Sequence, residues 1–269
     1  MTTVGDFLKE ATKTLATAGI GSARLDVMIL LEDIIEKNRA YLLAHPEHAL
    51  TTSQTAALHK KITQRIKHVP MAYIRGTAPF YGRMFTVNEQ VLVPRPETEA
   101  IIDMLKALPL GAAPRIADIG SGCGCIGITA KLELPAAAVW LYDIDFAALV
   151  VAKTNAHNLK AVVHATQADL LKDVDGTFDV IAANLPYVPT TLGVNEAAKH
   201  EPDLALFAGP DGLDAYRDFW KQLGGRSQKP TYILTESLIL QHTKMVALAG
   251  LAGYKLSGTD HLIQQFTLG

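Results

Sequence analysis

The stretch Arg115-Ile116-Ala117-Asp118-Ile119-Gly120-Ser121-Gly122-Cys123-Gly124-Cys125 decides the fold. A strand-like apolar run passes straight into glycines at alternate positions, and a helical pattern follows over residues 126–134. Glycines at such a turn let backbone N–H groups approach a ligand closely, while the helix N-terminus offers its dipole. The loop therefore reads as a site for a nucleotide or nucleoside cofactor. The type of cofactor stays open here, because Gly122, Gly124 and Gly127 also satisfy the dinucleotide spacing G-x-G-x-x-G. Asp143, at the end of the next strand pattern and about 20 residues on, is placed to accept hydrogen bonds from ribose hydroxyls.

Outward from this stretch, apolar runs alternate with helical patterns. Strand-like runs fall at 139–144, 162–166, 178–183 and 232–234, with helical stretches at 146–158 and 238–251 and a closing pair of β-like runs at 254–257 and 263–267. This alternation predicts an α/β fold with a doubly wound parallel sheet, its last pair antiparallel. Upstream, Gly76, Pro79, Gly82, Pro94 and Pro96 punctuate β-prone runs at 85–87 and 91–93, which suits a hairpin-like connector. Before residue 70 the spacing is helical: Val4, Phe7, Leu8, Ala11 and Leu15 share one face, Ser22 is placed to cap a second helix and Ser53 a later one. The expected organisation is a helical domain over 1–69, a β-hairpin-like connector over 70–96 and a sheet domain over 97–269.

Composition narrows the function classes. The protein has 269 residues, enough for about two domains, and is 49% hydrophobic, which excludes disorder over most of its length. It carries 25 Lys+Arg against 27 Asp+Glu, a net charge of −2, and so lacks the positive field of a typical nucleic-acid binder. Direct nucleic-acid binding is accordingly disfavoured. The first 68 residues hold 9 basic and 7 acidic side chains, leaving the remainder at −4, so the two parts differ in sign. Cys123 and Cys125 lie too close in sequence to bridge without strain, the usage expected in a reducing compartment. Asp6 and Glu10 stand where a secretory leader would be basic, and no run reaches the roughly 18 apolar residues of a membrane span. A cytoplasmic protein without membrane attachment is expected. The nine His show no metal-ligand spacing, and no metal is expected.

Asn184-Leu185-Pro186-Tyr187 ends the run at 178–183. In an open parallel sheet, ligands sit beyond the carboxyl ends of the strands near the switch point, so this tetrapeptide should face the glycine loop. Its residue types suit methylation of a planar NH2 group. The amide oxygen of Asn184 and the backbone carbonyl of Leu185 can each accept one N–H, and both bonds strengthen as the nitrogen gains positive charge. Tyr187 can stack on the planar group. Asp118, two residues ahead of Gly120, and the glycines at 120, 122 and 124 resemble the first motif of class I S-adenosyl-L-methionine (SAM)-dependent methyltransferases. Asp169 stands where such enzymes place an acidic residue near the adenine.

Five stretches together resemble the HemK/PrmC family of protein-(glutamine amide) methyltransferases acting on class I peptide release factors. They are Tyr73-Ile74-Arg75-Gly76 with Phe80-Tyr81-Gly82; Leu92-Val93-Pro94-Arg95-Pro96-Glu97-Thr98-Glu99; the glycine loop with Asp143; Asn184 to Tyr187; and Glu201-Pro202 through Ala205-Leu206 to Gly209-Pro210-Asp211-Gly212-Leu213. The helical N-terminal segment resembles the family's small substrate-recognition domain. The resemblance implies a class I SAM-dependent methyltransferase, Rossmann-like, with SAM contacts through Gly120, Ser121, Gly122, Cys123, Gly124, Asp143, Leu170 and Asn184, joined by Asp169. It further implies that Asn184, Leu185, Pro186 and Tyr187 hold the glutamine of a release factor's Gly-Gly-Gln loop; a monomer is expected. Residues 94–99 also read as a helix start, with Pro96 in the first turn and Glu97 and Glu99 complementing the dipole. Arg95, Glu97 and Glu236 receive no role from the sequence.

One departure stands out. The family's usual tetrapeptide has Pro where this protein has Leu185, and Asn-Leu-Pro-Tyr resembles the motif of RNA adenine dimethylases. Pro186 still biases residue 185 toward an extended conformation that turns its carbonyl to the substrate. Three alternatives accompany the main reading: a glutamine methyltransferase of a ribosomal protein, an RNA or DNA adenine amino-methyltransferase, and a SAM-binding module without catalysis. The release-factor-like 94–99 stretch speaks against the first, the net charge against the second, and the intact Asn184, Tyr187 and glycine loop against the third.

Overall fold

A computed structural model describes residues 2–269, and the protein divides into two compact units, 1–76 with 195–200, and 77–194 with 201–269. The first is helical: α1 (Val4–Thr17), α2 (Ala23–Ile35), α3 (Arg39–Ala44), α4 (Thr52–Ile66) and the single turn α5 (Met71–Arg75). Val4, Phe7, Ala11 and Leu15 form the buried face of α1 and pack with Leu30, Leu31, Leu58 and Ile62. Thr3 caps α1 by accepting from the Asp6 N–H at 3.2 Å. The cap position expected at Ser22 holds, without a side-chain cap bond, and the cap expected at Ser53 is corrected. Ser22 stands at the N-cap of α2 but gives its hydroxyl to Asp26 Oδ2, and α4 is capped by Thr51, whose reciprocal bonds with Gln54 form a capping box. The Thr-x-x-Gln pattern satisfies two orphan N–H groups at once, an advantage Ser53 could not match.

Asp26 also accepts from Arg65 Nε at 2.7 Å, with the two side chains 6% and 12% exposed. Removing one member of a buried pair strands the other charge. Asp26→Ala is therefore expected to destabilise the helical unit by about 3 kcal/mol, readable by urea denaturation; a midpoint unchanged from the parent would contradict it.

The second unit opens with a hairpin, β1 (Thr77–Phe80) and β2 (Arg83–Thr86). Its two-residue loop, Tyr81-Gly82, has φ of 49° and 71°, the twist that suits a tight hairpin. The expected second β run at 91–93 is not a strand; residues 92–95 carry no regular structure and lead into a 3-10 turn, Pro96–Thr98. Two prolines in three residues remove the N–H donors a ladder needs. Then follow α6 (Glu99–Ala107), β3 (Arg115–Ile119), α7 (Cys125–Glu133), β4 (Ala138–Asp143), α8 (Phe146–Asn158), β5 (His164–Gln167), β6 (Val180–Ala183), α9 (Asp203–Leu206), α10 (Asp214–Gly224), β7 (Tyr232–Glu236), α11 (His242–Leu251), β8 (Tyr254–Asp260) and β9 (Ile263–Leu268).

The seven strands run in the order β5-β4-β3-β6-β7-β9-β8. The first five are parallel, and β9 joins β7 antiparallel and pairs with β8. The α/β class and the antiparallel closing pair are as the sequence predicts. β3 and β6 are buried almost along their whole length, as strands covered by helices on both faces must be. On one face α10 lays Tyr216, Phe219, Trp220 and Leu223 into the core at helical spacing. On α7, a Cβ at Gly127 would come 2.2 Å from Leu141 Cδ2, so only glycine lets this helix sit so close to β4. The backbone leaves β3 toward β4 and β5, then crosses back to β6 on the other side of β3. That switch point opens a crevice at the carboxyl ends of the strands.

Candidate active site

Both halves of the site grow from neighbouring strand ends. Ile119 pairs with Ala183, so Gly120 and Asn184 leave the sheet side by side. Gly120, Gly122 and Gly124 all have positive φ, and a Cβ on Gly120 would lie 2.9 Å from Leu185 Cδ2. The glycine loop and the tetrapeptide are thus packed against each other. A cavity of ≈ 250 Å³ lies over them, bordered by Gly120 to Cys123, Asp143, Asp169, Leu170, Asn184, Leu185 and Pro186. Gly124 and Tyr187 do not line it.

Each acidic residue is held differently. Asp143 Oδ2 accepts from Gly122 N at 2.8 Å and Oδ1 from Asp145 N at 2.9 Å, which fixes the glycine loop to the end of β4. Burial pushes its carboxyl above the usual carboxylate range, against those backbone donors. Asp118 lies beneath the loop, fully buried, with Oδ2 accepting from Gly127 N at 2.8 Å and Oδ1 without a partner. Burial pushes its carboxyl up to about 7. A carboxyl raised in the folded state holds its proton more tightly there than in the unfolded protein. Its contribution to stability is therefore fully present below the unfolded value and is lost as pH rises toward about 7. Asp118→Asn, which keeps an acceptor for Gly127, removes this dependence. Its melting temperature relative to the parent is expected to improve between about pH 4 and about pH 8, measured by scanning calorimetry; a pH-independent difference would contradict this.

The hairpin is clipped to the loop by one amide. Asn155 on α8 accepts from Thr86 N at 2.7 Å and donates to Thr86 O and Cys123 O, both at 2.9 Å. Cys123 and Cys125 are buried free thiols.

At the tetrapeptide, Asn184 Nδ2 donates to Thr98 Oγ1 at 3.3 Å. Leu185 is buried, and its N–H donates to the Tyr216 hydroxyl at 3.3 Å. That hydroxyl lies 2.8 Å from Ala183 O and 2.6 Å from Glu236 O, stitching the ends of β6 and β7 together. Tyr187 donates its hydroxyl to Glu236 Oε1 at 2.8 Å. Burial raises the Tyr187 phenol far above its ordinary value, with the Glu236 charge adding to the effect, so it stays protonated.

The 94–99 stretch is tied in at several polar positions. Arg95 Nη2 meets Glu201 Oε1 at 2.7 Å and Oε2 at 2.8 Å, Thr98 receives Asn184, and Glu99 Oε1 accepts from Tyr81 N at 2.7 Å. Thr98, Glu201, Tyr216 and Glu236 surround the site although the sequence assigns a role to none of them. One signal is present for Glu236: Thr235-Glu236-Ser237 is a polar run at the carboxyl end of an otherwise apolar strand beside β6.

Residues 6–76 match the family model described as PrmC N-terminal domain, and residues 97–200 match Methyltransferase small domain. The release factor glutamine methyltransferase of Coxiella burnetii is 35% identical over 256 residues, 92% of each protein. The bifunctional methyltransferase of Rickettsia bellii is 35% identical over 244 residues, and there the alignment spans 78% of this protein but only 44% of the longer one. A methyltransferase from Pyrococcus furiosus superposes with a TM-score of 0.53 at 16% identity, covering 81% of this protein and 100% of that one, which shows the shared fold.

Proposed function

The protein belongs to the release factor glutamine methyltransferase family, and from that membership we propose that it transfers a methyl group from SAM to a glutamine side-chain amide in a class I peptide release factor. The single observation that carries the reading at the level of residues is the β3–β6 register, which sets the glycine loop and Asn184 against one cavity.

The residues present fit a small cationic nucleoside. Gly122 has open space where a Cβ would stand, Ser121 Oγ is buried without a partner, and Asp143, Asp145, Asp169 and Asp218 border the cavity. Asp143 would accept from the ribose hydroxyls while holding the loop through Gly122. Asp169 and Leu170 would border the base, and the loop N–H groups from Gly120 to Gly124 the remainder. When bound, SAM supplies an electrophilic methyl on a sulfonium centre.

The protein's own residues orient the acceptor. An amide nitrogen is a weak nucleophile, so catalysis rests on positioning and on stabilising the charge it gains. Asn184 Oδ1 and the Leu185 carbonyl each accept one N–H of the target NH2. Pro186 limits the backbone of residue 185, and Tyr187, outside the cavity lining, ties the end of the tetrapeptide to Glu236 of β7 through its hydroxyl. Those two acceptors strengthen as the nitrogen becomes cationic, and the excess proton then leaves to water. The helical unit serves recognition of the release factor. The enzyme acts as a monomer in the cytoplasm, without direct nucleic-acid binding.

The test is a labelled-methyl assay offering an intact release factor, ribosomal proteins and rRNA fragments separately. Label on the release factor is expected; label on RNA alone would overturn the reading.

A further inference from the structure

SAM carries an α-carboxylate at the end of its amino-acid tail, and moving a carboxylate from water into a cavity costs free energy unless a cation receives it. Among the described residues that border the cavity, Arg95 is the one cation, set against Asp143, Asp145, Asp169 and Asp218. Asp143, Asp145 and Asp169 stand at or just beyond the ends of β4 and β5, the nucleoside side of the site. Arg95 stands on the other side, with β3 between β4 and β6. Its carbonyl accepts from Thr98 N at 3.1 Å across the 3-10 turn, and Thr98 Oγ1 receives Asn184 Nδ2 at 3.3 Å beyond the end of β6. A ligand with its ribose at Asp143 and its methyl group at Asn184 spans from the first side to the second, where Arg95 is the only positive charge for its carboxylate.

The guanidinium is anchored yet only partly used. Glu201 receives it through Nη2 alone, at 2.7 and 2.8 Å, and also accepts from Val93 N at 3.3 Å. The Glu201 side chain is 2% exposed and that of Arg95 34%, so the anchor is buried and the guanidinium is open on one side. Nε and Nη1 have no hydrogen-bond partner among the described residues. A guanidinium that holds one carboxylate on Nη2 can give these remaining N–H groups to the oxygens of a second. Held in place by Glu201, it loses little freedom in doing so. We propose that Arg95, anchored by Glu201, receives the α-carboxylate of the cofactor, which makes the cavity select for the amino-acid tail of SAM as well as for its nucleoside. The proposal rests on the reading of this cavity as the SAM site.

Titration calorimetry of the full chain tests this without turnover, using S-adenosylhomocysteine, its decarboxylated counterpart, and methylthioadenosine, which lacks the tail. The parent is expected to bind S-adenosylhomocysteine about 10- to 100-fold more tightly than the decarboxylated compound, the range of a hydrogen bond to a charged group. In Arg95→Met that preference is expected to shrink to within about threefold, while affinity for methylthioadenosine stays within about threefold of the parent, because the nucleoside contacts lie elsewhere. Arg95→Met strands the Glu201 charge. The double variant Arg95→Met/Glu201→Gln, which keeps an acceptor for Val93 N, therefore carries the same decision if the single one does not fold. Parental preference for the carboxylate in either variant would overturn the proposal while leaving the cavity as the SAM site, and so would a parent that does not distinguish the first two ligands. A parent that binds none of the three would overturn the reading of the cavity itself and the proposal with it, so the two failures are separable.

Discussion

Asn184→Ala is expected to lower methyl transfer by about 10²–10³-fold while SAM binding stays measurable. The loss of one preorganised hydrogen-bonding group at a centre of developing charge has that magnitude. The neutral amide nitrogen forms only ordinary hydrogen bonds with Oδ1, whereas the cationic nitrogen that follows transfer forms charge-assisted ones. The effect should therefore appear in kcat more than in KM. The structure supports a local effect: Asn184 is part-buried, follows β6 and gives its side-chain N–H to Thr98, so truncation leaves the strand pairing intact. Steady-state kinetics with a release factor, alongside calorimetric titration of SAM, measures both quantities. Unchanged turnover would remove Asn184 from the mechanism.

The largest stability effect is expected at Gly212. Its φ is +75°, and a Cβ there would lie 2.2 Å from Tyr187 O and 2.6 Å from Gln241 Nε2. Gln241 donates to Tyr187 O and to Asp211 O, both at 2.8 Å, so the glycine lies against a polar clasp that fixes the backbone just after Pro186. A methyl group cannot fit without displacing Tyr187 backbone. Left-handed strain and forced repacking together set the cost of Gly212→Ala at about 2–6 kcal/mol. Chemical denaturation reads the loss, and residual transfer by the folded fraction should also fall, because the displaced carbonyl belongs to Tyr187. A variant as stable as the parent would show that the loop relaxes freely. This clash gives a physical reason for the second glycine of Gly209-Pro210-Asp211-Gly212.

How far the sequence discloses the site depends on how its residues are connected. The glycine loop and Asn184-Leu185-Pro186-Tyr187 each continue directly from a strand of unmistakable apolar pattern, and the rule for parallel sheets brings their ends together. Thr98 and Glu236 cannot be found that way. They come from the start of α6 and the end of β7, 86 and 52 residues from Asn184, and only the sheet order places them around it. Arg95 meets Glu201 across 106 positions for the same reason, although both stand in stretches that the sequence marks out. In the helical unit, the periodicity of α1 is plain, yet Ser22 stands at its expected N-cap without a side-chain cap bond and the α4 cap falls at Thr51. Ser22 and Ser53 are suitable capping residues, but Asp26 takes the Ser22 hydroxyl and Thr51 with Gln54 caps α4 two residues before Ser53. Val91 to Val93 has β-prone composition, but the prolines that follow and the turn at 88–91 leave it no ladder to join.

Leu185 is also clarified by packing. It is 2% exposed and lies over Gly120, which fixes the residue through its isobutyl group, while Tyr216 holds its N–H. A leucine here is anchored without the ring that a proline would supply.

The central claim is that the methyl group arrives on a glutamine amide nitrogen of a release factor. The most direct measurement is tandem mass spectrometry of a release factor incubated with the protein and SAM, mapping the added methyl to a residue. The account predicts one added methyl, on the amide of the glutamine in the Gly-Gly-Gln loop, and its absence with Asn184→Ala. A release factor left unmodified, or methylated on any other residue, would contradict it.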